Sequence, residues 1–175
     1  MKKIYASIIL TLLVLFTSLP VYGGDTAPKG KYIQIESNRL DVYDSQQLAV
    51  FSGSVRVDQE DTIIKSDKLY VYYKGEDGGK KSGNNMASIT AGNIERIEAQ
   101  GRVRITQGDR IVTGDNAVLF YEEQKVIVTG DAMMQEGKNI IKGGKITFFM
   151  KEKRGTVESK KQQKVTATIY PKDEQ

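Results

Sequence analysis

A nine-residue pattern occurs four times in this 175-residue chain and constrains its fold more than any other feature. Each copy has an apolar residue at positions one, six and eight, Ser or Gly at position three, and an aromatic residue at position nine. The copies occupy residues 35–43, 64–72, 112–120 and 141–149, with start-to-start spacings of 29, 48 and 29. Such self-similarity indicates a small β-unit that is stacked several times and forms a long surface.

A second pattern, x-x-Gly-x-apolar-x-apolar, accompanies the first at residues 51–57, 99–105 and 128–134. Two of these copies begin 16 residues after a nine-residue copy, and the third begins 35 residues after one. The additional residues are assigned to 74–92, a segment rich in Gly, Asn, Ser and Lys that we interpret as an inserted loop. A fourth copy should begin at Val157, but the pattern decays there, which indicates a cap or an open end.

The first 23 residues have the pattern of a secretory signal peptide. Two lysines precede an apolar run of 16 residues, and Val21 and Gly23 occupy the −3 and −1 positions of a cleavage site. An uncleaved membrane anchor is the alternative, although a span needs about 20 apolar residues. We therefore expect one exported domain, residues 24–175, that ends in a polar tail at 171–175.

The charge and composition exclude several classes of function. Cleavage after residue 23 removes Lys2 and Lys3 and lowers the formal net charge from +4 to +2, so no nucleic-acid partner is expected. The chain contains no Cys, His or Trp, and therefore lacks a thiol nucleophile, the usual zinc ligands and the commonest general base. We expect no metal, no cofactor and no enzymatic activity.

The acidic residues offer the main alternative. Asp58, Glu60 and Asp61 form a cluster, and glycoside hydrolysis uses a pair of carboxylates. Because the cluster directly follows a strand-like segment, we interpret it as a solvated turn. The Gly-Asp pairs at 114–115 and 130–131 are too isolated for a calcium-binding β-roll and are also interpreted as turns.

Apolar residues alternate with polar ones throughout the mature chain, which predicts an all-β fold of a dozen or more short strands of about five residues. Small residues, including Gly53, Gly101 and Gly130, are expected where the chain bends between strands. The alternation assigns one set of side chains to the interior. This set comprises Ile33, Ile35, Leu40, Val42, Val55, Val57, Ile64, Leu69, Val71, Ile97, Val103, Ile105, Val112, Leu119, Tyr121, Val126, Val128, Met134, Ile141, Ile146, Phe148 and Ile169.

The order of these segments resembles the OstA-like/LptA family of periplasmic lipopolysaccharide transport proteins. The resemblance rests on the run IERIEAQG, the segment V-x-TG-D, the repeats and the closing KVTATIYP, and it covers residues 32–170. It implies a twisted, incompletely closed antiparallel β-jellyroll. It also implies a periplasmic, oligomeric protein that binds the lipid A part of lipopolysaccharide and bridges an LptC-like inner-membrane protein and an LptD-like outer-membrane protein.

The resemblance also implies lipid-binding residues. Ile33, Ile35, Leu119 and Tyr121 match ligand-facing positions of the family. Val103, Ile105 and Phe148 are added to the predicted lipid-binding residues only because the two-residue alternation assigns them to the inward face. The basic residues Arg56, Arg102 and Arg104 alternate with apolar neighbours and are expected on a solvated face.

Two segments are expected to pair with other chains by strand addition, residues 32–42 at the N-terminal edge and 165–170 at the C-terminal edge. Three other functions remain open at this point. The chain could be a structural assembly module without lipid, a membrane-anchored LptC-like protein, or a carbohydrate-active enzyme that depends on Asp58 or Glu60.

Overall fold

The computed structural model describes residues 32–74, 94–160 and 163–171. These residues form one antiparallel sheet of ten strands and a short 3-10 helix at Asp44–Gln46. The strands are β1 (Gln34–Glu36), β2 (Arg39–Tyr43), β3 (Leu48–Gln59), β4 (Thr62–Tyr73), β5 (Ile94–Gln107), β6 (Arg110–Phe120), β7 (Lys125–Glu136), β8 (Asn139–Phe149), β9 (Arg154–Glu158) and β10 (Thr166–Thr168).

Parts of the predicted domain organisation lie outside the described residues. These are the signal peptide at 1–23, almost all of the insertion at 74–92, and the last four residues of the polar tail. Within the described part of the chain, no helix has the length and apolar character needed to cross a membrane.

The strands pair in chain order from β3 to β8, so the sheet is a meander. Its first position is shared by β1 and β2, which both pair with β3, and its last position is shared by β9 and β10, which both pair with β8. Among the described residues, no strand of the first position pairs with one of the last. The sheet is therefore open, and both predicted edges lie where the sequence placed them, with β9 added to the C-terminal one.

The prediction of a dozen or more five-residue strands is wrong. Six strands, β3 to β8, contain 11 to 14 residues each. The glycines expected between strands lie inside them, at bulges where the register shifts. Gly53, Gly101 and Gly130 have φ values of +83°, +77° and +81°, and hydrogen bonding resumes after each bulge. Each long strand thus consists of two halves joined at a bend.

In three of the four copies of the nine-residue pattern, the small third residue lies opposite the residue that follows the bulge. Ser66 pairs with Val55, Gly114 with Val103, and Gly143 with Ala132. Space is limited at these positions. A Cβ atom on Gly114 would lie 2.6 Å from Cγ1 of Val128 and 2.8 Å from the carbonyl oxygen of Thr129. The pattern therefore requires a small residue wherever two strands approach at a bend.

The apolar face of the sheet forms one continuous core that includes both strand halves. Its largest fully buried side chains are Leu69, Val71, Val103, Val128 and Ile146. The predicted interior set is confirmed for most of its members. Three members are more exposed, at 37 % for Leu40, 37 % for Tyr121 and 72 % for Ile169.

These three exceptions have local causes. Leu40 is opposite the buried Phe51 but lies on an edge strand with nothing on its other side. Tyr121 is the first residue after β6 and lies in a turn. Ile169 follows the end of β10, so its assignment to the interior is wrong.

The turns of the meander form two rims. The hairpin rim consists of two-residue turns between Gln59 and Thr62, Gln107 and Arg110, and Glu136 and Asn139. The wide-turn rim includes the four-residue turns 44–47, 121–124 and 150–153, each closed by a backbone hydrogen bond. Glu60 and Asp61 form one of the two-residue turns, and Arg56 Nε donates to Asp58 Oδ2 at 2.7 Å. Two residues of the acidic cluster thus form a turn, as predicted, while Asp58 lies near the end of β3.

An ion pair spans the bulge of β5, where the Nε of Arg102 donates to Oδ1 of Asp67 at 3.1 Å. This hydrogen bond lowers the pKa of Asp67, and both groups are at the surface. Because the pKa of Asp67 in the folded protein is below its ordinary value, the ion pair stabilises the fold above about pH 4. This contribution to folding stability is lost as the pH falls through the lowered pKa.

In an NMR titration, we expect Asp67 to have a pKa below the ordinary range for Asp side chains. Arg102→Gln should return this pKa to the ordinary range. An unchanged Asp67 midpoint in that variant would show that the ion pair does not cause the shift. The conservative variant Arg102→Lys should retain part of the shift, because it keeps the charge but not the guanidinium geometry.

Candidate binding cavity

A cavity of about 910 Å³ lies on the apolar face of the sheet and is lined by both halves of β4, β5, β6 and β7. A volume of this size is within the range that proteins use for small-molecule ligands, about 300–1,000 Å³. Most lining side chains are aliphatic or aromatic. The apolar ones are Ile64, Leu69, Ile97, Ala99, Ile105, Val112, Ala117, Leu119, Val126, Met134, Phe148, Phe149 and Met150.

The strand bends explain why one cavity contacts both halves of a strand. Ile97 and Ile105 both line it, although they lie eight residues apart in β5. In a straight strand they would be separated by roughly 26 Å, at about 3.3 Å per residue. The bulge at Gly101 lies between them, so the two halves of β5 turn toward a common interior.

The polar residues that line the cavity belong to the two rims. Gln59, Thr62, Gln107 and Arg110 come from the hairpin rim, and Tyr121, Gln124, Lys153 and Arg154 come from the wide-turn rim. The three charged residues among them are all cations. The cavity therefore combines an apolar interior with polar, cationic margins, which suits a ligand that has hydrocarbon chains and an anionic head.

Two of these cations have carboxylate partners. Arg110 Nη2 lies 3.1 Å from Oε2 of Glu136, and Arg154 Nε lies 3.0 Å from Oε2 of Glu152. Lys153 is exposed and makes no ion pair with any other described residue. Sequence periodicity did not identify these side chains, because Lys153 lies in a turn and Arg110 and Arg154 are the first residues of their strands.

The structure divides the seven predicted lipid-binding residues into two groups. Ile105, Leu119, Tyr121 and Phe148 line the cavity together. Val103 is 2 % exposed within the core, while Ile33 and Ile35 are half-buried against that core near the first sheet edge. These last three do not line the cavity, and their contact with lipid remains a prediction. Met134, Val126 and Leu69 also line the cavity, and the sequence alternation had assigned all three to the interior.

The basic residues on the other face of the sheet are separate from the cavity. Arg56 pairs with Asp58 and Arg102 with Asp67, and Arg104 is exposed. None of the three lines the cavity, in agreement with the predicted solvated face. Among the described residues, no group of three or more acidic residues has the arrangement needed to hold a metal ion.

Comparison with known proteins gives a consistent result. Residues 34–154 match the family described as LptA/(LptD N-terminal domain) LPS transport protein. The lipopolysaccharide export system protein LptA of Escherichia coli (strain K12) is 28 % identical over 178 residues, which cover 97 % of this chain and 87 % of that protein. A protein of uncharacterized function from Rhizobium meliloti (strain 1021) is 31 % identical over 119 residues, covering 67 % of this chain and 60 % of that protein.

A solved structure shares the fold. It is the crystal structure of LptH, described as the LptA homologous periplasmic component of the lipopolysaccharide transport device of Pseudomonas aeruginosa. The TM-score is 0.65 at 15 % identity, over 81 % of this chain and 96 % of that one. This likeness supports the predicted open antiparallel β-jellyroll. Because the family match covers most of the chain, the protein belongs to the LptA/(LptD N-terminal domain) family of LPS transport proteins.

Proposed function

We propose that this chain is a non-enzymatic, periplasmic carrier of lipopolysaccharide that holds the acyl chains in its apolar cavity. The observation that carries the proposal is the cavity itself, in which thirteen apolar side chains surround about 910 Å³. The names of the E. coli and P. aeruginosa relatives support the cargo and the compartment.

The physical reason for such a carrier is the cost of exposing acyl chains to water. Each CH₂ group that leaves an apolar environment costs about 0.8 kcal/mol, so an amphiphile with several acyl chains cannot cross an aqueous compartment unshielded. A cavity lined by Leu119, Met134 and Phe148 offsets this cost without specific chemistry. The cationic margins at Arg110 and Lys153 suit the phosphate groups of lipid A, which would remain near water.

The proposed transfer route uses the two open edges. Among the described residues, β1 and β2 at one edge and β9 and β10 at the other have strand partners on one side only. Unpaired backbone groups of this kind accept a further strand by β-augmentation. We propose pairing with an LptC-like protein on the inner-membrane side, an LptD-like protein on the outer-membrane side, and further copies of this chain between them, with the N-terminal edge toward the inner membrane.

A photo-crosslinking pair tests the cargo and its location. Leu119 lines the cavity, whereas Val118, the preceding residue of β6, points to the opposite face and does not line it. A photoreactive residue at 119 should crosslink to lipopolysaccharide in cells, and the same residue at 118 should give little product. Equal crosslinking at both positions, or none at 119 in folded protein, would contradict the proposal.

A structural module without cargo is the second candidate, and the two open edges favour it. It predicts end-to-end assembly with no lipid bound. The crosslinking pair separates the two functions, since a module without cargo gives no lipid adduct at either position.

A further inference from the structure

The aromatic ninth residues of the repeats form part of a row that crosses the sheet near the wide-turn rim. Along this row, each residue lies directly opposite the next on the neighbouring strand. From β4 to β9 the order is Tyr72, Arg96, Phe120, Lys125, Phe149 and Arg154, so aromatic rings alternate with cations.

The cations of this row lie over the aromatic rings. The guanidinium carbon of Arg96 is 4.2 Å from the ring centroid of Tyr72, and that of Arg154 is 4.0 Å from the centroid of Phe149. The Nζ of Lys125 is 4.6 Å from the centroid of Phe120. Cation–π contacts of this geometry contribute about 0.5–1 kcal/mol at exposed sites. The repeated aromatic residue thus supports the pairing register between strands.

The row is incomplete at both ends of the chain. At the first edge, Tyr43 lies opposite Leu48 and is 46 % exposed, and no cation of the described residues lies over its ring. At the last edge, Arg154 of β9 has Phe149 on one side, and on its other side there is no strand within the described part of the chain. One end therefore lacks a cation and the other lacks an aromatic residue.

Strand direction permits the row to continue into a second copy of the chain. The sheet has eight strand positions, and neighbouring positions are antiparallel throughout. The first and last positions consequently run in opposite directions. A second copy stacked end to end in the same orientation would place its β2 antiparallel to β9 of the first, as the ladder requires.

We infer that two copies of this chain join in one register, in which Arg154 of β9 lies opposite Tyr43 of the next copy. This inference rests on the end-to-end pairing proposed above and specifies its alignment. The row fixes the remaining positions: Thr156 lies opposite Asp41, and Glu158 lies opposite Arg39. The pairs Thr156–Asp41 and Glu158–Arg39 are on the outward face. The pair Arg154–Tyr43 continues the row at the wide-turn rim, where Arg154 also borders the cavity. All three pairs are chemically complementary.

The inward face is complementary in the same register. Val157, which is half-buried against the core, lies opposite Leu40 of the next copy. Leu40 is 37 % exposed in the single chain, so this pairing would cover an apolar side chain that otherwise contacts water. A register shifted by one residue would turn every side chain of the added strand to the wrong face. A register shifted by two residues in one direction would place two carboxylates, Asp41 and Glu158, opposite each other.

Engineered cysteines report the register directly, because the native chain contains none. The double variant Asp41→Cys with Thr156→Cys places the two thiols opposite each other between copies, at a separation that a disulfide can span. Mild oxidation should give a ladder of disulfide-linked oligomers. Two control variants, Asp41→Cys with Glu158→Cys and Asp41→Cys with Arg154→Cys, report the registers shifted by two residues and should link much more slowly.

A charge exchange provides an independent test on the native backbone. Arg39→Glu should weaken association by about fivefold, the effect expected for like charges directly opposite across two strands, and adding Glu158→Arg should restore it. Sedimentation measures the association, and circular dichroism verifies folding.

The outcomes separate this inference from the proposed lipid function. Faster linking of either control pair, or a chain that remains monomeric and unlinked at high concentration, would overturn the inferred register even if the protein binds lipid. In-register linking by a protein that never binds lipid would uphold the register and overturn the carrier function alone.

Discussion

Replacing Met134 with aspartate should abolish lipopolysaccharide binding by this protein. Met134 lies in the second half of β7 and lines the cavity, where it faces the space proposed for acyl chains. A carboxylate at this position is hydrated in the empty cavity but would lose its water when hydrocarbon fills it, at a cost of several kcal/mol. We expect a decrease in affinity of at least about 100-fold, measured with fluorescent lipopolysaccharide.

The chain offers a closely matched control in Met133→Asp. Met133 is the preceding residue of the same strand and is half-buried like Met134, but it does not line the cavity. Lys142 lies opposite Met133 on β8, where its ammonium group can pair with a carboxylate at position 133. This variant should bind lipid almost normally. Equal loss of binding in both variants, with folding intact, would show that the cavity is not the lipid site.

The second large effect concerns stability, at the bulge of β7. Gly130 has φ +81°, and a Cβ atom built on it would lie 2.5 Å from Cβ of Asp115, an atom that side-chain rotation cannot move away. Gly130→Ala therefore combines an unfavourable backbone conformation with a steric clash. We expect it to lower the free energy of unfolding by about 2–4 kcal/mol, measured by urea denaturation.

Gly108→Ala separates these two contributions. Gly108 also has a positive φ, +57°, in a two-residue turn of the hairpin rim, but no atom lies within 4 Å of the position that its Cβ would occupy. The conformational cost alone is about 1–2 kcal/mol. An equal decrease in the free energy of unfolding for both variants would show that the clash with Asp115 does not contribute to the requirement for glycine at position 130.

The sequence predicted the inward and outward faces well, because the two-residue period of a strand does not depend on how long the strand is. Leu69, Val71 and Val128 are fully buried on the predicted face. Strand length was predicted wrongly for a related reason. A glycine inside an alternating segment is compatible with a turn or a bulge, and only the hydrogen bonding on both sides of Gly101 distinguishes the two.

Features that depend on pairing between strands were not predictable from one strand at a time. The aromatic ninth residue was visible as a repeat, but its role depends on the cation opposite it, and Arg96 and Phe120 are 24 residues apart in the chain. Lys153 was missed because it lies in a turn, where no alternation marks the side that a residue faces. The cavity likewise depends on how far the strand halves bend, which periodicity does not encode.

The most direct test of the central claim is native mass spectrometry of the full chain purified from a lipopolysaccharide-producing cell with mild detergent. A carrier of the proposed kind should retain lipopolysaccharide with its acyl chains, and Met134→Asp should be recovered folded but free of lipid. Recovery of the folded wild-type protein without any bound lipid would contradict the proposed carrier function.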